Sequence, residues 1–183
     1  NAASTIPVSV ITATEPKRLT KRFEISNGEL KKTPGGILVE GGVTISNVEG
    51  LEGFSELLQT LQPSQALIYG LPVKAPTKIT TKDKWHRSGR PDNVIPRTAE
   101  MFHWNDGPGI LMLDYDPENG TTSLDMDALV SALRSAVSGL QDAEMLWWPS
   151  ASSHITNSES GEEITPLRGQ RLYLAVKDAK DIP

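Results

Sequence analysis

Alternating apolar and polar positions predict short strands in the first third of the chain. Residues 22–26 and 29–32 are two such runs on either side of Asn27-Gly28, a dipeptide that readily takes the positive φ angles of a type I′ turn. They therefore predict a β-hairpin. Residues 37–46 contain two similar runs around a pair of glycines and predict a second hairpin.

A helix, a strand and a long loop are predicted next. Apolar residues recur at helical spacing over residues 51–61, and Pro63 closes that helix. Residues 66–70 form a short apolar run that predicts a buried strand. Residues 72–97 are rich in Pro, Lys, Arg and Gly and lack apolar periodicity, so we expect a long, partly mobile loop.

The most strand-like apolar run ends in two carboxylates. In Gly109-Ile-Leu-Met-Leu-Asp-Tyr-Asp-Pro117, strand alternation puts Asp114 and Asp116 on one face, and the proline ends the strand. Two carboxylates at a strand tip suit Mg²⁺ or Mn²⁺ ions, which in two-metal sites lie roughly 3.5–4 Å apart and promote in-line phosphoryl transfer. An ordinary loop cap is the alternative, because Asp-x-Asp is common by accident. Residues 97–104 alternate weakly and are expected to pair with this strand in antiparallel fashion.

The segments after this strand predict an α/β layer. Ser123 is expected to cap a helix whose first turn holds Asp125 and Asp127 as favourable helix-start charges. Residues 144–149 and 170–176 predict two strands, separated by a polar and acidic surface excursion. The order strand, helix, strand, excursion, strand predicts an α/β (α+β) fold, in which an antiparallel or mixed sheet is packed with helices.

Length and charge fit a single domain built from two lobes. The chain has 183 residues, no cysteine and no apolar run near the roughly 18 residues of a membrane span, so we expect a cytoplasmic protein without disulfides or a membrane partner. The net charge of −5 divides unevenly: residues 1–97 hold 13 Lys and Arg against 9 Asp and Glu, whereas residues 98–183 hold 5 against 14. Such asymmetry fits a protein that holds a polyanion on one side and metal ions on the other, although solvated faces give the same count.

The predicted organisation has three parts. Residues 1–18 show little pattern among their Pro, Ser and Thr residues and are expected to form a loose arm, beginning with Asn1-Ala2 as an expression-tag remnant. Residues 19–97 are expected to form an N-terminal α/β lobe that carries the basic loop over residues 72–97. Residues 98–183 are expected to form a catalytic-type lobe, incomplete at its C-terminal end.

Basic residues of the predicted loop are candidates for contacts with a nucleic-acid backbone. The loop holds seven Lys and Arg against two Asp, and a flexible basic segment can follow phosphates along a strand. The residues expected to make these contacts are Lys78, Lys82, Lys84, Arg87 and Arg90. A merely solvated loop is the alternative.

A hydroxyl-rich turn and an arginine are candidates for phosphate binding. Ser152, Ser153 and His154 directly follow a predicted strand, where hydroxyls, backbone amides and an imidazole suit a triphosphate. Arg171 lies at the start of the last strand, where a guanidinium can grip phosphate in bidentate fashion. A serine hydrolase is disfavoured because no Gly-x-Ser-x-Gly elbow is present. Zinc is disfavoured because the chain lacks cysteine and its histidines lack ligand spacing.

These motifs, in this order, resemble the catalytic domain of archaeo-eukaryotic primases, the primase-polymerases of phages, plasmids and mobile elements. The resemblance covers residues 97–183 and is carried by Leu113-Asp-Tyr-Asp-Pro117, Pro149-Ser-Ala-Ser-Ser-His154, Gly169-Gln-Arg-Leu-Tyr-Leu-Ala-Val176 and Asp178-Ala-Lys-Asp-Ile-Pro183. It implies an RRM-like catalytic core that joins nucleotides on a nucleic-acid template during replication. The implied partners are nucleoside triphosphates and single-stranded or primed DNA, and the implied cofactor is Mg²⁺ or Mn²⁺ on Asp114 and Asp116.

The chain departs from the family's pattern at two points. Many relatives place the nucleotide-binding histidine in the strand after the serine loop, where this chain has Arg171; His154 and Arg171 are thus alternative triphosphate contacts, and rigid placement by the strand favours Arg171. The family's third metal-binding acid lies on a later strand, so we expect an N-terminal piece of a longer protein, often one with a C-terminal helicase domain. The alternatives are a catalytically inactive nucleic-acid-binding or replication-initiation module with the same fold, and a metal-dependent nuclease.

Overall fold

The protein is a strand-rich α+β chain in a computed structural model, which describes residues 4–118 and 121–182. Its strands are β1 (Thr5–Glu15), β2 (Arg22–Ser26), β3 (Glu29–Thr33), β4 (Glu40–Glu49), β5 (Gln65–Ile68), β6 (Leu71–Pro72), β7 (Thr77–Thr80), β8 (Val94–Pro96), β9 (Phe102–His103), β10 (Gly109–Tyr115), β11 (Leu146–Pro149), β12 (Ile155–Thr156), β13 (Glu163–Thr165) and β14 (Gln170–Val176). Its helices are α1 (Gly50–Thr60), α2 (Lys82–Arg87) and α3 (Met126–Ala136), with a short 3₁₀ turn at Ala179–Asp181. The predicted α/β class is confirmed. The expected tag remnant, Asn1-Ala2, lies outside the described residues.

The chain divides into two compact units. The first comprises Asn1–Gly109 with Val176–Pro183, and the second comprises Ile110–Ala175. The first contains a five-stranded sheet in the order β5-β1-β4-β7-β8, in which only the β7–β8 pair is parallel. The second contains a three-stranded sheet in the order β10-β14-β11. Across residues 4–118 and 121–182, no helix is long and apolar enough to span a membrane.

The N-terminal segment is a central strand, so the prediction of a loose arm is wrong. Strand β1 pairs with β4 on one side and with β5 on the other. Ser9, Val10 and Ile11 are all buried, so the middle of the strand is covered on both faces, whereas Thr12 and Thr14 further along are exposed. The buried Ser9 hydroxyl donates a hydrogen bond to the Gly70 carbonyl at 2.7 Å. Where both faces of a strand are buried, its sequence lacks the apolar–polar alternation by which a half-buried strand is recognised.

The first predicted hairpin is confirmed and the second is wrong. Strands β2 and β3 pair around Asn27 and Gly28, whose φ angles are +55° and +79°. The second glycine pair, Gly41 and Gly42, instead lies inside the continuous strand β4. Gly41 is required there by close packing: a Cβ at this position would collide with the Thr12 carbonyl oxygen of β1. The glycines mark a close backbone approach and not a turn.

The predicted basic loop is ordered secondary structure, so that prediction is also wrong. Residues 77–96 form a β7-α2-β8 crossover, and Ile79 and Ile95 lie in the hydrophobic core. Thr80 is buried and its hydroxyl donates to the Val39 carbonyl at 2.9 Å. Strands of three or four residues contribute one or two core side chains each, which is too few to produce a detectable period.

Other elements of the first unit agree with the sequence except in one pairing. Helix α1 is confirmed and buries Leu51 and Phe54. Strand β5 is confirmed, although its residues are only half-buried because it lies at the edge of the sheet. The predicted pairing of residues 97–104 with the aspartate strand is wrong: in this region β9 pairs with β6, and β10 is hydrogen-bonded to β14.

The second unit follows the predicted order of strand, helix, strand, excursion and strand. Helix α3 is confirmed, but its N-cap is Asp125, whose Oδ1 accepts from the Ala128 amide at 2.8 Å. The predicted cap, Ser123, instead donates its hydroxyl to the Arg168 carbonyl at 2.7 Å. The polar excursion contains the short antiparallel pair β12–β13.

Candidate functional site

Asp114 and Asp116 lie at the end of β10, on exposed positions. Asp114 is the penultimate residue of the strand and Asp116 follows directly after it. Apolar residues earlier in β10 are half-buried, so the strand is held by its packing while its tip is in solvent. Two exposed carboxylates with one residue between them can supply oxygen ligands to a hard divalent cation that keeps several waters.

Arg171 is paired with the first of these aspartates. Its Nε donates to Asp114 Oδ1 at 3.2 Å, across the neighbouring strands β14 and β10. Burial opposes the charge of the guanidinium, but interactions with Tyr173 and Asp114 outweigh that effect and raise the pKa of Arg171. Burial also raises the pKa of the Tyr173 phenol. Arg171 thus remains fully charged beside Asp114.

Asp116 and the serine turn, residues 150–153, both lie next to Gly169. This glycine is buried, and a Cβ built on it would collide with the Asp116 carboxylate and lie 2.9 Å from Ser150 Oγ. Ser150 also donates its backbone N–H to the Gly169 carbonyl at 2.8 Å. The ends of β10, β11 and β14 therefore meet at a residue that has no side chain.

The hydroxyls of the serine turn are largely bonded within the turn. Ser153 Oγ donates to the Gly169 carbonyl at 2.8 Å and accepts from the Arg168 amide at 3.0 Å. Ser152 Oγ lies 3.0 Å from Ser150 Oγ. Of the two serines predicted to contact phosphate, Ser153 has a structural role, whereas Ser152 bonds a neighbouring hydroxyl that can rotate.

His154 is held by a residue that the sequence pattern did not reveal. The backbone of His154 has a φ angle of +52°. Its Nδ1 lies 2.8 Å from Oε1 of Glu163, the first residue of β13. Both side chains are about half exposed. A histidine with a carboxylate on one ring nitrogen is oriented by it, so the excursion positions the imidazole instead of leaving it loose.

Gln170 supports the whole arrangement and was not predicted. It is fully buried, and its Nε2 donates to Ser123 Oγ at 2.9 Å and to the Leu124 carbonyl at 2.6 Å. Its Oε1 accepts from Trp147 Nε1 at 2.6 Å. The amide thereby ties β14 to β11 and to the segment before α3. A single polar residue at the start of an apolar strand is too common a signal to identify such a role.

The carboxylates number two, and not three, at this place. Within residues 4–118 and 121–182, no group of three or more His, Asp or Glu side chains could hold a metal ion. The carboxylates of Asp114 and Asp116 could serve as two ligands of Mg²⁺ or Mn²⁺, with water completing the coordination sphere. An all-oxygen donor set of this kind suits these ions better than zinc, whose sites are usually built with histidine or cysteine.

The basic residues predicted to bind nucleic acid lie on the first unit. Lys78, Lys82 and Arg87 are exposed. Lys84 is already paired with Glu40 at 2.9 Å and with Glu15 at 3.5 Å, and Glu40 contributes most to raising the pKa of its ammonium group.

Arg90 also has intramolecular partners. Its Nε donates to His86 Nδ1 at 3.1 Å, and its guanidinium lies 5.7 Å from the centroid of the Trp85 ring. A guanidinium over an aromatic face is held by a cation–π interaction. Of the five cations predicted to contact nucleic acid, Lys84 and Arg90 thus have partners within the protein.

No protein-family model, curated protein or solved structure matches this chain.

Proposed function

We propose that this chain carries the metal and nucleotide site of a primase-polymerase, an enzyme that joins nucleotides on a DNA template in the replication of a mobile element. Asp114 and Asp116 hold divalent ions, and Ser152, His154 and Arg171 receive the triphosphate of the incoming nucleotide. Ser153 shapes the turn that presents them. This is the primase-polymerase form of the α+β fold expected from the sequence.

The convergence at Gly169 carries the proposal. Two exposed carboxylates, a hydroxyl-rich turn and an arginine come from three separate strands and meet at one end of a single sheet. Chemistry that needs both a cation and a phosphate requires this combination of anionic and cationic groups. A loop cap alone would need neither the serine turn nor the arginine.

Each residue has a defined task in nucleotidyl transfer. Asp114 and Asp116 would hold the divalent ions, which would supply Lewis-acid chemistry to the attacking 3′-hydroxyl and to the pyrophosphate leaving group. Arg171 and His154 orient the triphosphate by hydrogen bonds, so that the α-phosphorus lies in line with the attacking oxygen. Glu163 fixes the His154 ring, and Gln170 holds the strand that carries Arg171.

A catalytically inactive nucleic-acid-binding module is the second candidate. The Arg171–Asp114 ion pair favours it, because a permanent cation on a metal ligand is a way to retain the fold without the metal. Such a module would bind DNA through the first unit and would be indifferent to Mn²⁺.

Calorimetric titration with Mn²⁺ tests the proposal. The wild-type chain should bind the ion, and Asp114→Asn combined with Asp116→Asn should abolish that binding. Asp125→Asn combined with Asp127→Asn is the matched control, since it removes the same two charges from a second Asp-x-Asp pair and leaves an asparagine cap on α3. Equal Mn²⁺ heats for the two double variants would refute the metal site.

The DNA partner has a separate test on the first unit. Affinity for single-stranded DNA should fall steeply with salt, because neutralised phosphates release counterions. Reversing the exposed pair Lys82 and Arg87 to glutamate should flatten that slope, whereas reversing Lys31 and Lys32 of the β2–β3 hairpin should leave it unchanged. The same salt dependence in all three proteins would remove Lys82 and Arg87 from the interface.

A further inference from the structure

In the proposed function Arg171 and Asp114 bind different ligands, yet their side chains form an ion pair with each other. Asp114 is a proposed metal ligand, and Arg171 is a proposed triphosphate contact, yet Nε of the arginine donates to Oδ1 of the aspartate at 3.2 Å. The backbone of Arg171 is fixed by antiparallel pairing with Trp148 of β11. Its side chain also interacts electrostatically with Tyr173 on the same strand. The residue therefore has a rigid base and a flexible, charged end.

A guanidinium and a divalent cation compete for the Asp114 carboxylate. Both use lone pairs of the same two oxygens, and positive charges that approach to about 4 Å repel each other even in a solvated site. The ion pair is also easily broken, because the two side chains are 40% and 50% exposed. Exposed pairs of this kind contribute little to stability. Occupation of Asp114 by a divalent ion thus displaces the guanidinium at small cost.

Once it is displaced from Asp114, the Arg171 guanidinium can bind phosphate oxygens of the proposed nucleotide. The serine turn meets β14 at Gly169, two residues before Arg171. A triphosphate at this turn offers oxygen atoms that a guanidinium binds as it binds a carboxylate, but with more charge. The arginine can therefore exchange one anionic partner for another while its backbone stays in place.

We infer that Arg171 is an exchange residue that couples the two ligands of the site: a divalent ion on Asp114 releases Arg171 to the triphosphate, and a triphosphate on Arg171 releases Asp114 to the ion. This inference rests on the proposed function and adds to it the regulation of that site. Because coupling between two bound ligands is reciprocal, each ligand raises the affinity for the other.

The metal side of the exchange is measured with Mn²⁺ alone. Arg171→Ala removes the competitor and should tighten Mn²⁺ binding about fivefold, the factor that corresponds to an exposed ion pair. Arg168→Ala is the matched control, because it removes the same charge just before β14 from a side chain that is exposed. Arg168→Ala should change the Mn²⁺ affinity far less than Arg171→Ala does.

The nucleotide side is measured with ATP in the presence of a chelator, so that no metal takes part. Asp114→Asn removes the anion that occupies Arg171 and should tighten ATP binding by a similar factor, about fivefold. That gain should vanish when Asp114→Asn is combined with Arg171→Ala. Asp127→Asn, which removes an acidic charge from α3, should not reproduce it.

Two outcomes separate the exchange from the proposed function. If Mn²⁺ binding does not depend on Asp114 and Asp116, the proposed function fails and the exchange fails with it. If Mn²⁺ binding depends on the aspartates but Arg171→Ala and Arg168→Ala bind the ion equally well, the exchange alone is wrong. Circular dichroism of each variant confirms that the fold is retained, so that either result is interpretable.

Discussion

Replacing Gln170 with methionine should weaken the second unit by an amount that can be worked out from its hydrogen bonds. Methionine is about as long as glutamine, so the change leaves little cavity. It removes the three hydrogen bonds that join β14 to Trp147, Ser123 and Leu124. Each hydrogen bond contributes about 0.5–1.5 kcal/mol, and the groups that lose their partner stay partly buried. The free energy of unfolding should therefore fall by roughly 2–4 kcal/mol.

Urea unfolding followed by tryptophan fluorescence and by circular dichroism measures this loss. The denaturation midpoint of Gln170→Met should fall clearly, and for a chain of this size the melting temperature should fall by about 5–15 °C. Gln59→Met is the control, because Gln59 is exposed on α1. Equal midpoints for the two variants would refute the assignment of Gln170 as a structural support.

A second substitution at the same position separates hydrogen bonding from shape. Gln170→Glu keeps an oxygen for the Trp147 indole but turns the donor that faces the Leu124 carbonyl into a second oxygen. Burial should raise the pKa of this carboxyl, because the charged form is desolvated. Its folded state then binds a proton more tightly than its unfolded state, so stability should be highest at acid pH and should decline as the pH rises through the folded pKa. A variant whose stability is independent of pH would contradict this.

Three further predictions concern other parts of the chain. Gly41→Ala should destabilise the protein by about 1–3 kcal/mol in urea unfolding, because its Cβ collides with β1, whereas Gly42→Ala, whose Cβ meets only a carbonyl oxygen at 3.7 Å, should be close to neutral. Gly28→Ala should cost about 1 kcal/mol from its positive φ alone, since nothing lies within 4 Å of the added atom. Burial raises the pKa of Tyr173 above its ordinary value of 10.0, so the free energy of unfolding should decline as the pH rises above that value, and Tyr173→Phe should reduce the decline. Equal losses of stability in Gly41→Ala and Gly42→Ala would contradict the first prediction, and unchanged stability of Gly28→Ala would contradict the second. The same alkaline decline in Tyr173→Phe would contradict the third.

Sequence patterns located elements whose periodicity or turn chemistry is strong. Helix α1 has enough turns for its apolar stripe to be visible, and the Asn27-Gly28 turn has a conformational requirement that few other dipeptides meet. The order of the main elements in the second unit was also predictable, because β10, β11 and β14 are each an apolar run between polar segments. These features are local, and local rules suffice for them.

The failures concern features that depend on distant parts of the chain. Strand β1 is not predictable because the middle of this strand is covered on both faces and lacks alternation. Gly41 is not recognisable as a strand residue because the reason for it lies across the sheet at Thr12. In the site, Asp114, Asp116 and Arg171 were predictable as chemical types. The contact between Arg171 and Asp114 was not predictable, and neither were the roles of Glu163 and Gln170, since strand order and register decide which side chains meet.

Proline occupies the last position of β8 and of β11, which both lie at the margins of their sheets. Strand β8 ends at Pro96 beside β7, and β11 ends at Pro149 beside β14. Proline has no amide hydrogen, so each margin lacks one of the donors by which the strand of a second molecule could extend the sheet. Without this proline, the exposed edge of the tryptophan-containing strand β11 could pair with a strand of a second molecule at high concentration. Substituting Pro149 with threonine should therefore leave the folded monomer intact in dilute solution and increase its tendency to aggregate when concentrated.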